Sequence, residues 1–131
     1  MTENELAKIV VDVAYKIHRK LGPGLLESVY HAVMLYELRK IGLRVKSKDP
    51  VPIVWEDVRL EKGFECDLIV EDKLMVELKS VEDVPRVFKK QLLTYLRLTD
   101  CRLGLLINFG SELIKDGIFR VVNGLEEEGS R

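Results

Sequence analysis

Leu103–Phe109 reads LGLLINF, apolar on both of the faces that a strand presents. Alternate residues of a strand point to opposite sides. Such a strand therefore needs cover above and below, as in the sheets of α/β proteins. A helical stretch at about 84–98 precedes it, with Val87, Leu92, Tyr95 and Leu96 supplying much of the apolar face. Before that helix stands a strand candidate, Leu74–Ser80. Strand, helix, strand is a crossover, and crossovers give a parallel pair with a right-handed connection. The expected fold class is α/β: a mixed β-sheet flanked by helices.

The N-terminal half supplies the helices. Leu6, Ile9, Val10, Val13 and Ile17 recur at helical spacing and predict a helix over 3–20. Leu21-Gly22-Pro23-Gly24 ends it. A second helix is expected over about 25–41, with Leu26, Val29, Val33 and Tyr36 on one side and Gly42 as its stop. From Leu43 the pattern turns toward strands. Val51–Trp55 is one, followed by a turn at Glu56-Asp57. Val58–Leu60 and Phe64–Val70 form one long or interrupted strand, with Gly63 as a bulge or bend. Ile118–Val122 is a last short strand. Residues 1–125 read as a single domain and 126–131, ending EEEGSR, as a disordered tail.

Composition excludes several classes. There are 131 residues, 47% hydrophobic and 33% charged, an ordinary globular mixture. With 21 basic and 22 acidic residues the net charge is −1, so nucleic-acid binding would need a local patch. Cys66 and Cys101 sit in no CxxC or Cys/His cluster, which argues against zinc and for two reduced thiols. MTENELAK lacks the apolar core of a signal peptide, and no run approaches membrane-spanning length. A cytoplasmic protein is the expectation.

Glu77 and Lys79 interrupt the strand Leu74–Ser80. Burying charge in such a strand is costly unless it is paired or bound. Alternation puts both on the face of Met75, with Leu74, Val76 and Leu78 on the other. If Glu71-Asp72-Lys73 is a three-residue hairpin loop, Val70 pairs with Leu74 and Asp67 lies opposite Glu77. Opposed residues of an antiparallel pair share a face, whereas a one-residue slip would place Asp67 opposite Val76. Two adjacent carboxylates repel unless a cation lies between them, and Mg²⁺ characteristically takes one or two carboxylates with waters and phosphate oxygens. The alternative is a salt-bridged Glu77–Lys79 pair at a sheet edge. Gln91 and Tyr95, four apart in QLLTYL, share one helix face. Glu27, in GPGLLESVY, falls in the first turn of the second helix, where the helix dipole alone favours an acid.

GPGLLESVY sets Gly24, Glu27 and Tyr30 in a G-x-x-E-x-x-Y arrangement, followed in order by CDLIV, VELKS, QLLTYL and GLLINFG. The chain resembles the GxxExxY proteins of the PD-(D/E)XK nuclease superfamily over roughly residues 5–122. The resemblance implies a restriction-endonuclease-like core in αβββαβ order. It implies Asp67 as the first acid, Glu77 and Lys79 as the E-x-K, Glu27 as an additional helical acid, and Gln91 with Tyr95 as a Q-x-x-x-Y element. Lys48 departs from the family pattern, which favours Gln there. Phe119 departs too, standing where a second basic residue is common beside Arg120.

The function so implied is a Mg²⁺- or Mn²⁺-dependent nuclease. Asp67, Glu77, the Leu78 carbonyl and Glu27 would serve the metal, Glu27 directly or through water. Lys79 would orient the attacking water. The histidines, His18 and His31, are read as local packing or surface residues; His31, four after Glu27, is within reach of it. Basic stretches at Arg39, Lys40, Arg44, Lys46, Lys48 and at Arg86, Lys89, Lys90, Arg97 offer phosphate contacts, and Lys46, Lys48, Lys89, Lys90 and Arg120 are the expected nucleic-acid ligands. The partner is expected to be DNA, with a homodimer engaging two strands and no membrane. The competing reading is a non-catalytic accessory module of nuclease fold that binds nucleic acid or a protein.

Overall fold

The computed structural model describes residues 1–125; the expected tail, 126–131, lies outside the described residues. Helix α1 (Glu3–Leu21) is followed by α2 (Glu27–Lys40). Five strands come next: β1 (Val45–Ser47), β2 (Pro50–Trp55), β3 (Val58–Glu65), β4 (Leu68–Val70) and β5 (Leu74–Lys79). Helix α3 (Arg86–Thr99), strand β6 (Leu103–Asn108), a 3₁₀ turn (Ile114–Gly117) and β7 (Ile118–Val122) complete the order. The main sheet runs β1-β4-β5-β6-β7, and β2 and β3 form a separate two-stranded ribbon. Among the described residues of this sheet β5 and β6 alone are parallel; β1/β4, β4/β5 and β6/β7 are antiparallel.

The crossover expectation holds: β5, α3 and β6 make the parallel pair, and every residue of β6 is buried. One sheet face packs Leu74, Val76, Leu78, Leu105 and Ile107 against α1 and α2. The other packs Met75 and Leu106 with Cys66 against Leu92 and Leu96 of α3. Gly104 belongs to that second face, where an added Cβ would stand 3.1 Å from Leu92, so its lack of a side chain lets α3 lie close.

Helix α1 is capped by Thr2, whose hydroxyl accepts from the Glu5 amide while the Glu5 carboxylate accepts from the Thr2 amide. It ends at Gly22 (φ 72), and Gly24 (φ 98) again takes a backbone region that favours glycine. In α2 the apolar face differs from expectation. Tyr30, Met34 and Leu38 are buried, one every four residues, while Leu26, Val29 and Tyr36 are exposed and Val33 is only half-buried. Tyr30 can be buried because its hydroxyl donates to the Gly22 carbonyl at 2.6 Å and accepts from the Leu25 amide at 3.1 Å. Its ring stacks on Phe109, 4.4 Å between centroids. On α3, Leu92 and Leu96 are buried as expected, but Val87 is exposed.

The long strand expected through Phe64–Val70 is broken at Cys66-Asp67, which separates β3 from β4. A register shift between Val51 and Ile53 coincides with Gly63, where a Cβ would run into the Ile53 side chain. The irregularity expected at Gly63, a bulge or bend, thus falls where the ribbon's register shifts. Among the described residues no helix is long and apolar enough to cross a membrane.

Candidate metal-dependent active site

The hairpin register places the acids. Val70 pairs with Leu74 and Leu68 with Val76 across Glu71-Asp72-Lys73, and Glu71 and Asp72 both adopt positive φ in the turn. Asp67, next before Leu68, therefore comes beside Glu77 at the open end of the β4/β5 ladder. The Asp67 amide donates to Glu77 Oε1 at 3.1 Å, and the Leu78 amide donates to Asp67 Oδ2 at 2.8 Å. The N–H and C=O of one extended residue point to the same edge of a strand. The Leu78 carbonyl is thus turned toward Asp67, while the Lys79 carbonyl accepts from Phe109 on the β6 side at 2.8 Å.

Glu77 is buried on the α3 side of the sheet, as the alternation implies. Burial first, and then the Asp67 carboxylate beside it, raises its pKa to about 7. Beneath it, burial raises the Cys66 thiol as well, with Glu77 adding to the shift. Cys66 Sγ donates to the Leu68 carbonyl at 3.3 Å. A buried and a half-buried carboxylate side by side call for positive charge; Lys79 is near enough for its charge to lower Glu77 somewhat, but among the described residues it closes no ion pair with either. Its Nζ lies 4.5 Å from the centre of the Phe88 ring.

Two segments converge on Asp67 from outside the hairpin. His31 Nε2, on α2, stands 3.2 Å from the Asp67 carbonyl and 3.3 Å from the Ser47 hydroxyl. A carbonyl only accepts, so Nε2 carries the proton. The Lys48 amide donates to the same carbonyl at 3.0 Å. His31, read from sequence as a packing residue within reach of Glu27, thus fixes the backbone of the first acid. His18 does pack locally, with Nε2 2.9 Å from the Ser111 carbonyl and its ring against Phe109.

Glu27 opens α2, exposed, one helical turn before His31 and on the same face. It lines a cleft of about 450 Å³ with Leu25, Ser80, Glu82 and Gly110. The Ser80 hydroxyl donates to the Leu25 carbonyl at 2.6 Å, joining the glycine-rich loop to the end of β5. Among the described residues no three His, Cys, Asp or Glu side chains gather closely enough to hold a metal by themselves. The donor set at hand is two carboxylates and one carbonyl. That suits a hard cation that keeps several waters.

The Q-x-x-x-Y pair meets the site from α3. Tyr95 is half-buried and stacked on Phe64 at 4.0 Å, with the exposed Gln91 one helical turn before it. Burial raises its hydroxyl, and the nearby Glu77 adds to that. The expected phosphate ligands do not form one patch. Lys46 is paired with Asp72 at 2.8 Å on edge strand β1. Lys89 lies over Phe119 at 3.9 Å, and Lys90 is exposed on α3. Arg120 pairs with Leu105 in register, on the α1 side of the sheet, and donates to Asn4. Sequence reasoning passed over Phe88 and Asn108. Asn108 is fully buried and holds both backbone groups of Val81, donating to its carbonyl at 2.8 Å and accepting from its amide at 2.9 Å.

A family model described as the PD-(D/E)XK nuclease superfamily matches residues 4–121. No curated protein matches the chain. Among solved structures, the crystal structure of SSO0001 is similar, with a TM-score of 0.54 at 17% identity, over 78% of this chain and 52% of that one. This chain therefore spans about half the length of that relative, and at such identity the likeness concerns the fold alone.

Proposed function

This chain belongs to the PD-(D/E)XK nuclease superfamily, and from that premise we propose that it is a divalent-metal-dependent phosphodiesterase acting on DNA. The observation that supports this best is the Asp67–Glu77 pair: two carboxylates held by each other's strands, with burial and then the Asp67 charge raising Glu77 to about 7. Asp67, Glu77 and the Leu78 carbonyl are the proposed ligands of Mg²⁺ or Mn²⁺, with Glu27 acting through water. When bound, the ion acidifies a water and polarises the scissile phosphate.

The chain's own residues do the rest. Lys79 orients the attacking water and offsets charge that develops on the phosphate. Gln91 and Tyr95 orient groups at the α3 side of the site. Lys48, Lys89 and Lys90 are the phosphate contacts the placement favours, since Lys46 and Arg120 are turned to Asp72 and Asn4. Residues 1–125 act as one domain, of GxxExxY type, and two copies address the two strands of a duplex.

The test is calorimetric titration with Mg²⁺ and Mn²⁺ alongside cleavage of mixed DNA and RNA substrates, for wild type, Asp67→Ala and Glu77→Ala. Loss of binding and cleavage in both variants supports the proposal. No metal binding by the wild type, even with nucleic acid present, refutes it. One observation favours the accessory-module reading: Trp55, Val58 and Leu60 form an exposed apolar face on the β2/β3 ribbon. Metal binding without cleavage of any substrate would support that reading.

A further inference from the structure

Glu77 and Lys79 share one face of β5, two residues apart. That spacing lets an ammonium reach a carboxylate, and Glu77 is buried beside a second acid. Yet among the described residues Lys79 takes part in no ion pair. Its ammonium lies over Phe88 instead, 4.5 Å from the ring centre. Phe88 is the third residue of α3; its amide donates to the Pro85 carbonyl at 3.1 Å, and its ring packs on the cluster that contains Met75 and Leu92. The ring is therefore fixed by the helix start and by the core beneath it. An aromatic face attracts a cation through its quadrupole, more strongly where water is partly excluded.

Resting on the nuclease reading above, we propose that Phe88 is a positioning residue: its ring holds the Lys79 ammonium off Glu77, which keeps the Asp67–Glu77 pair open to a divalent cation. Without the ring, the ammonium's best partner is the Glu77 carboxylate. Lysine and metal then compete for the same oxygens. The lysine is also drawn from the place where a phosphate would meet it.

The test is a double-mutant cycle read by Mn²⁺ calorimetry, with no substrate present. Phe88→Leu is expected to weaken Mn²⁺ binding about fivefold, the scale of a partly desolvated cation–π contact, and Phe88→Tyr is expected to retain wild-type affinity. In a Lys79→Ala background Phe88→Leu is expected to change nothing, because no ammonium remains to compete. Equal weakening with and without Lys79, or none at all, overturns the proposal and leaves the nuclease reading intact. Failure of the wild type to bind Mn²⁺ overturns both. A second readout needs no variant to fold: the Lys79 ε-protons of the wild type are expected upfield of other lysines from the Phe88 ring current. Ordinary shifts there also overturn the proposal.

Discussion

The backbone amide of Asp67 donates to the carboxylate of Glu77 at 3.1 Å, so the side chain of one acid is held by the main chain of the other. The Asp67 carboxylate in turn accepts from Leu78, the residue after Glu77. This reciprocity fixes both acids at the end of the β4/β5 ladder without satisfying their charge.

Glu77 therefore governs a pH dependence of stability. Its folded pKa, about 7, lies above the unfolded value near 4.5. Below about 4.5 it is protonated in both states and has no effect. Between the two values the unfolded chain ionises while the folded one keeps the proton, so stability falls as pH rises, and the full cost is present above about 7. At roughly 1.4 kcal/mol per pKa unit the cost is on the order of 1–3 kcal/mol. Thermal melts of metal-free protein are expected to fall from pH 5 to 7.5 more steeply for wild type than for Glu77→Gln. Added Mg²⁺ is expected to raise the wild-type melt at pH 7.5 and leave Glu77→Gln unchanged.

Asp67→Ala separates function from fold. It deletes a proposed metal ligand and the acceptor of the Leu78 amide, and also the negative charge that raises Glu77. The lost hydrogen bond, about 1 kcal/mol, is offset by relief of repulsion. Urea melts are expected within about 1 kcal/mol of wild type at pH 7.5, with Mg²⁺ binding and cleavage abolished. A large loss of stability would show that Asp67 is structural.

Much of this site was legible because it depends on local spacing. The three-residue turn Glu71-Asp72-Lys73 and strand alternation suffice to bring Asp67 to Glu77, and the register agrees. What failed depends on tertiary choice. Helix α2 has apolar residues on several sides, from Leu26 and Val29 to Met34, Tyr36 and Leu38, so periodicity does not single out the stripe Tyr30, Met34, Leu38 that the sheet covers. Strand β1 is three residues, with Lys46 at its centre, too short to show alternation. Phe88 and His31 gain their roles only from where α3 and α2 cross the sheet, which no spacing within those helices encodes.

Tyr30→Phe tests the hydroxyl that ties α2 to the glycine-rich loop. Removing it leaves the Gly22 carbonyl and Leu25 amide without their partner. The expected loss is about 1–2 kcal/mol in a denaturant melt. If Glu27 serves the metal, its loosened loop is also expected to lower Mg²⁺ affinity severalfold, which calorimetry reads. Unchanged affinity with lowered stability would place the loop outside the site.

Asn108 sits at the end of β6, in register with Lys79, and controls how the chain leaves β5. Its side chain accepts from the Val81 and Gly110 amides and donates to the Val81 carbonyl and the Ser111 hydroxyl. At Gly110 a Cβ would collide with the Val81 backbone, so the two segments touch directly. Asn108→Ala strips partners from part-buried backbone groups, leaves a cavity at a fully buried position and is expected to cost about 2–4 kcal/mol. Asn108→Asp keeps the acceptor for both amides but loses the donor to the Val81 carbonyl and brings a charge into a buried position, so it is expected to be no less damaging at pH 8 and milder at pH 5, where protonation restores a donor. Melts of the two variants at those pH values check this. Ser80 and Val81 line the cleft that Glu27 shares. Cleavage by Asn108→Asp is therefore expected to recover at the lower pH only as far as the falling ionisation of Glu77 allows.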